Sequence, residues 1–176
     1  SDAPQAWRTS IPEELYPTSF VAQETMDYLD RHAAAGTEDP FFIQCSFPDP
    51  HHPFTPPGKY WDMYDPVDVP VSAAFHHPKD KLPPHVATLH RARDDGSRIT
   101  EGMTVFAYTE DEARAATAHN YGSITMIDDA IGRVLAKLGD LGFAATEQCE
   151  ALHLRFFADG LQLRHHIVYR VSVLQV

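Results

Sequence analysis

Residues 40–60 read PFFIQCSFPDPHHPFTPPGKY, an apolar run that passes abruptly into a proline-rich segment. Residues 41–47 are nearly all apolar, which predicts a β-strand covered on both faces. The prolines that follow cannot continue a strand ladder, since they lack the N–H donor and restrict the residue before them. We therefore expect residues 48–58 to form a rigid loop at the carboxyl end of the strand, where open α/β sheets bind ligands.

The segments on both sides of this strand predict helices. The first is expected to begin near Thr18 and end near Ala35-Gly36, with a buried stripe at Ala22, Met26, Leu29 and Ala33. The second is expected over 110–141, where apolar residues recur every three or four positions, at Ile124, Ile127, Ile131, Val134, Leu138 and Leu141. Helices flanking a two-sided strand predict an α/β fold. Gly132 costs about 1 kcal/mol relative to Ala in a helix, which predicts a close approach of another group there.

The remaining regions are less periodic. Residues 59–110 are expected to form a long, loop-rich excursion with short helices around 59–64 and 84–93, within the same domain. Residues 152–156 and 161–164 alternate on either side of Asp159-Gly160, which predicts a hairpin, and 169–173 predicts a further strand.

Composition narrows the classes of function. The chain of 176 residues carries 14 basic and 25 acidic residues, a formal charge of −11 that opposes binding to nucleic acid or to an anionic membrane surface. Its two cysteines, Cys45 and Cys149, are too few for a disulfide framework, so the compartment, cytoplasmic or periplasmic, stays open. Homo-oligomer formation is compatible with the sequence but not indicated by it.

Two motifs in order resemble the sulfatase family of the alkaline-phosphatase superfamily. The first is the strand at 40–42 leading into Pro50-His51-His52-Pro53-Phe54 and Gly58-Lys59-Tyr60. The second is the long helix with Asn120-Tyr121-Gly122-Ser123 and the run from Ile127 to Leu135. The resemblance covers roughly 15–142 and implies a three-layer α/β/α sandwich, of which residues 1–142 would be an internal portion. The implied chemistry is hydrolysis of sulfate monoesters, or of phosphate or phosphonate esters.

The resemblance also implies cofactors. Family members use a Cys or Ser in a Cys/Ser-x-Pro-x-Arg motif, oxidised to formylglycine, beside Ca²⁺ or Mg²⁺ held by carboxylates. Ser46-Phe47-Pro48-Asp49-Pro50 matches this motif at two positions, but Pro50 stands where the Arg belongs. We therefore expect the nucleophile to come from an upstream Cys or Ser of a parent enzyme, and the metal ligands to lie outside this chain. The isolated chain is expected to be inactive.

The family pattern stops after Gly142. Family members continue into a strand ending in Asp-His-Gly or Asp-Asn-Gly, whereas this chain ends in Val173-Leu174-Gln175-Val176. Two explanations remain open for residues 143–176, a divergent C-terminus and a tail read in the wrong frame from a truncated gene. The abruptness of the change favours the second.

By the resemblance, His51 is the catalytic and substrate-binding histidine, donating a hydrogen bond to an oxygen of the transferred group. His52 stands at the family's variable position and is expected at the loop surface or pocket rim. Asp49 either orients His51 or serves the turn, and turn service is favoured. Asp128 and Asp129 are adjacent on a helix and point about 100° apart, so we expect them not to share an ion.

Two further sets of residues each allow a functional and a structural interpretation. Lys59, Trp61 and Tyr64 either line a substrate entrance or cap a small helix, and the second account is favoured. The alternative to an enzyme is a non-catalytic, His-rich module that binds an anion or a metal. Its candidate zinc ligands are His76, His77, His85 and His90. Their spacing matches no established zinc-site pattern, so we expect no metal site in this chain.

Overall fold

Two compact units make up the chain. The first contains Ser1–Thr9 and His52–Gly122, and the second contains Ser10–His51 and Ser123–Val176. The computed structural model describes residues 3–36, 39–101 and 104–143, together with the backbone of strand residues 149–150 and 170–175.

Helix α1 spans Pro17–Ala34 in the second unit. Pro17 suits the first helical position because its missing N–H has no partner there in any case. Gly36 adopts a φ of +60°, the left-handed conformation that commonly follows a helix end. The predicted start and end are confirmed to within a residue. Ala22, Met26 and Leu29 of the predicted stripe are buried, while Ala33 is half-buried.

Strand β1 spans Phe42–Ser46 and alternates in burial. Cys45 is 3% exposed, and the flanking Phe41 and Phe47 are also buried, whereas Phe42 is 60% exposed. The odd-numbered side chains pack in one core with α1 and with the second half of the long helix. The expectation that both faces of this strand are covered is therefore wrong, because only the odd-numbered face meets the two helices.

Within the described residues, the sheet contains three strands in the order β1-β3-β2, where β2 is Cys149–Glu150 and β3 is Arg170–Gln175. Both pairings are antiparallel, with Phe42 opposite Leu174 and Ser46 opposite Arg170. Strand β3 confirms the strand predicted at 169–173, and the hairpin predicted at 152–164 lies outside the described residues. The described part thus has an α/β character, with one helical layer against a sheet. A second helical layer, as in the three-layer sandwich, stays an implication of the resemblance.

Helix α3 spans Glu110–Asp140, confirming the long periodic segment. Its start is a capping box, because the Thr109 N–H donates to Glu112 Oε2 (2.7 Å) and the Glu112 N–H donates to Thr109 Oγ1 (3.3 Å). Within the second unit its buried side chains include Ile127, Val134 and Leu138.

The expected close approach at Gly132 is wrong. Apart from its own helix and chain neighbours, nothing described lies within 4 Å of a Cβ placed there. The close approach occurs at Gly122, where an added Cβ would lie 2.1 Å from the Tyr60 carbonyl oxygen.

The first unit is built mostly from turns around the first part of α3. Its small core contains Ala3, Ala6 and Ala116, and the Phe54 N–H donates to the Gln5 carbonyl (2.8 Å). Helix α2, Pro84–Asp94, confirms the helix predicted at 84–93. The helix predicted at 59–64 is reduced to a 3₁₀ turn, Gly58–Tyr60.

Two arginines fasten the excursion to α3. Arg98 forms a two-armed ion pair with Glu112, and Arg114 donates to the Val69 carbonyl. None of the helices in the described part combines the length and the apolar character needed to cross a membrane.

Candidate functional site

The loop that follows β1 is anchored before it reaches His51. Phe47 is 2% exposed, and Asp49 and Pro50 are also buried. The His51 N–H donates to the Pro48 carbonyl (3.3 Å), which closes a turn directly ahead of the histidine. The imidazole of His51 is half-buried. The loop thus carries an imidazole just beyond the end of a paired strand, without exposing the residue fully to solvent.

Asp49 is the buried charge of this loop. It is 6% exposed, and its carboxylate accepts from Thr18 Oγ1 (2.7 Å) and from Tyr16 OH (3.3 Å). Burial raises the pKa of the Asp49 carboxyl above its ordinary value, although the two hydrogen bonds oppose the rise. Both donors lie more than 30 positions upstream at the start of α1, so the contacts of Asp49 extend well beyond local turn service.

The sequence did not single out Tyr16 or Thr18 as site residues. The sequence indicated only that a helix begins near Thr18. In the structure Thr18 is fully buried and its hydroxyl binds Asp49. A buried hydroxyl at a helix start carries no sequence signal for a partner 31 positions away.

In the first unit, the rest of the loop lies close to aromatic residues. His52 is exposed. Phe54 lines a cavity of about 320 Å³ with Tyr108 and with two polar residues of α3, Thr117 and Asn120.

The environments of Lys59, Trp61 and Tyr64, the candidate residues of a substrate entrance, differ. Lys59 lies over the Tyr60 ring, with 4.7 Å from Nζ to the ring centroid. Trp61 is buried and stacks on His119 at 3.6 Å between ring centroids. Tyr64 and Trp61 border a cavity of about 530 Å³. His119, which the sequence did not highlight, is 6% exposed, and desolvation lowers its pKa.

The candidate zinc ligands do not assemble. His76, His77 and His85 are exposed, and His76 Nε2 lies 3.9 Å from Glu110 Oε2. His90 is half-buried, and its pKa is lowered mainly by desolvation. Throughout the described ranges, no three His, Cys, Asp or Glu side chains are grouped to hold a metal ion.

Asp128 and Asp129 are both exposed on α3. Neither belongs to a group of three or more potential metal-ligating side chains among the described residues.

Comparison with characterised proteins gives several relatives. The chain is 34% identical over 131 residues to an arylsulfatase of Clostridium perfringens (strain 13 / Type A), covering 74% of this chain and 24% of the relative. It is 28% identical over 176 residues to the multifunctional alkaline phosphatase superfamily protein PehA of Trinickia caryophylli, covering 92% and 31%. It is 26% identical over 137 residues to iduronate 2-sulfatase of Mus musculus, covering 76% and 24%.

The alignments thus cover 24–31% of the length of these relatives. No family model matches it.

Proposed function

The chain belongs to a sulfatase-like family of the alkaline-phosphatase superfamily, and from that premise we propose that it forms part of a hydrolase of sulfate monoesters in which His51 binds the transferred group. The relatives named as sulfatases favour sulfate over the phosphate and phosphonate esters that the superfamily also cleaves. The substrate would be a small-molecule ester.

The observation that carries this proposal is the placement of His51. It follows a strand paired within a sheet, and a buried, hydrogen-bonded aspartate precedes it by two positions. An imidazole can donate a hydrogen bond to an anionic oxygen and can carry a proton near neutral pH. In hydrolysis of a sulfate ester, negative charge grows on the leaving oxygen, and a positioned donor stabilises it most in the transition state.

The proposal leaves two functions to residues outside this chain. The 176 residues contain no Cys/Ser-x-Pro-x-Arg motif for the formylglycine nucleophile. The described carboxylates do not fit a Ca²⁺ or Mg²⁺ site, so we assign no step to a metal bound here. His51, and the rim residue His52 more peripherally, are the groups of this chain that would meet the substrate.

Two experiments test the proposal. The purified 176-residue chain is expected to show no turnover of aryl sulfates or bis-aryl phosphates, and metal-dependent turnover well above a His51→Ala control would contradict that expectation. In the complete product of the encoding gene, His51→Ala is expected to lower kcat by about 10²–10³, the usual cost of removing one such donor. Unchanged turnover in that variant would refute the role of His51.

The encoding gene provides a separate test. A Cys/Ser-x-Pro-x-Arg sequence in the upstream reading frame is expected if the nucleophile comes from the same polypeptide. Downstream of codon 142, an Asp-x-Gly sequence in another frame would support a frame-shifted tail at 143–176. An intact frame without such a sequence would favour a divergent C-terminus.

A further inference from the structure

The carboxylate of Asp49 is buried and hydrogen-bonded to two hydroxyl groups. A carboxylate removed from water is costly unless hydrogen bonds compensate it. Here the compensation includes two hydroxyl donors, Thr18 Oγ1 at 2.7 Å and Tyr16 OH at 3.3 Å. All three residues are at most 6% exposed. Asp49, Thr18 and Tyr16 are hereafter called the loop anchor.

The loop anchor joins the loop after β1 to the start of α1 in the second unit. Tyr16 and Thr18 lie at the start of α1, and α1 is fixed by Ala22, Met26 and Leu29 in the same core as Phe47. Directly beyond Asp49, the His51 N–H binds the Pro48 carbonyl. A continuous series of contacts therefore leads from the helix, through the Asp49 carboxylate, to the backbone that carries the imidazole.

We propose that Asp49 is a positioning residue, which fixes the loop against the start of α1 and so determines where His51 is presented. This inference rests on the proposed function of His51 as the group that binds the transferred anion. Asp49 acts through backbone placement, because its carboxylate binds the hydroxyls of Thr18 and Tyr16 at the start of α1.

Directionality distinguishes this role from simple filling of space. Hydrogen bonds to a charged acceptor are short and geometrically specific, and a donor 2.7 Å from one carboxylate oxygen holds that oxygen in a narrow range of positions. An apolar side chain of similar size would fill the same volume but would leave the loop free to shift along α1. A catalytic donor displaced by about 1 Å loses much of its effect.

Three variants of the chain test the inference. Asp49→Ala removes both acceptor oxygens, Thr18→Val removes one donor at nearly constant volume, and Asp49→Asn keeps the shape and the capacity for two hydrogen bonds. Asp128→Ala is the matched control, since Asp128 is an exposed aspartate of the same unit.

Amide hydrogen exchange of His51, compared with core amides of α1 such as Met26, gives the first measurement. In Asp49→Ala we expect protection of the His51 amide to fall roughly tenfold or more, with little change at Met26. Thr18→Val should give a smaller loss, and Asp49→Asn should restore protection. Equal loss at His51 and Met26 would indicate only general destabilisation and would overturn the inference, as would a His51 amide unchanged from the Asp128→Ala control.

Titration with inorganic sulfate, followed by the backbone amide NMR signals of each variant, gives the second measurement, and the imidazole signals of His51 are an additional reporter in the variants that keep this residue. Asp49→Ala is expected to weaken the response, and Asp49→Asn to recover it. Should Asp49→Ala not fold, Thr18→Val carries both measurements. If sulfate binding is insensitive to His51→Ala while protection of the His51 amide still depends on Asp49, the proposed function fails and the placement by Asp49 stands. If His51→Ala abolishes sulfate binding and no anchor variant alters it, the placement fails and the proposed function stands.

Discussion

Replacing two glycines of α3 by alanine should change stability in opposite directions. Alanine is favoured over glycine in a helix interior by about 1 kcal/mol, so either substitution would stabilise an isolated helix. At Gly132 no described atom outside the helix and the chain neighbours lies within 4 Å of the new Cβ. At Gly122 the Cβ would lie 2.1 Å from the Tyr60 carbonyl oxygen and 3.3 Å from Pro56 Cγ.

The magnitudes follow from these distances. An ordinary contact to a Cβ begins at 3.4 Å, so Gly122→Ala overlaps a backbone oxygen by more than 1 Å, and a backbone segment has to move. Overpacking of this kind costs about 1–3 kcal/mol or more. After the helical gain is subtracted, we expect a net loss of about 2 kcal/mol for Gly122→Ala and a gain of about 0.5–1 kcal/mol for Gly132→Ala.

Thermal and urea unfolding followed by circular dichroism measure the difference. A domain of this size shifts its Tm by about 2–4 °C per kcal/mol, so the two variants should be separated by roughly 5–12 °C. Gly139→Ala provides a second control, because Gly139 is also open. Shifts of the same sign and size at Gly122 and Gly132 would refute the close approach of Tyr60 to α3.

Three further predictions concern the charges and the core. The hydrogen bond from Arg98 lowers the pKa of Glu112, so the pair stabilises the fold above the ordinary carboxyl pKa of 4.5, and this contribution is lost as pH falls. Glu112→Gln should therefore lower the free energy of unfolding by about 1–3 kcal/mol at neutral pH. Urea unfolding at several pH values should show that this difference disappears in acid. The raised pKa of Asp49 gives the opposite pH dependence, because the folded chain holds the proton more tightly than the unfolded chain, and stability falls as pH rises above the ordinary aspartate pKa of 3.8. In unfolding measurements, Asp49→Asn should therefore become more stable relative to the unsubstituted chain as pH rises. Leu29→Ala should cost about 2–5 kcal/mol because Leu29 is 1% exposed, whereas Leu15→Ala, at a side chain 69% exposed, should stay within about 0.5 kcal/mol in the same measurement.

Helices α1 and α3 could be predicted closely because their signals are local. Apolar residues at helical spacing fix which face is buried, and Gly36 marks the end of α1 through its own backbone preference. The same locality explains the error at Gly132. A glycine inside a helix lowers helix stability relative to alanine, which suggests that another group approaches closely. That group belongs to a distant segment, however, and the sequence does not tell which of several glycines it approaches.

The strand shows a related limit. An apolar sequence at 41–47 predicts cover on both faces, yet Phe42 is exposed while Phe41, Cys45 and Phe47 are buried. Burial alternates along the strand because only one of its faces packs on the helices. When almost every position is apolar, the sequence does not show which face that is. The direction of pairing was equally inaccessible, since β1 pairs with a strand more than 120 positions away.

The identity of the proposed substrate-binding residue and the contacts that position it are separate questions. In the sequence, His51 is singled out only through the resemblance to a family. The placement of His51 depends on Asp49, Thr18 and Tyr16, whose hydrogen bonds the resemblance does not specify. A relative with another residue at position 49 would need a different device to hold the same loop, because the turn at Pro48 fixes only local geometry. The role proposed for the histidine can therefore persist in related chains while the means of positioning it changes.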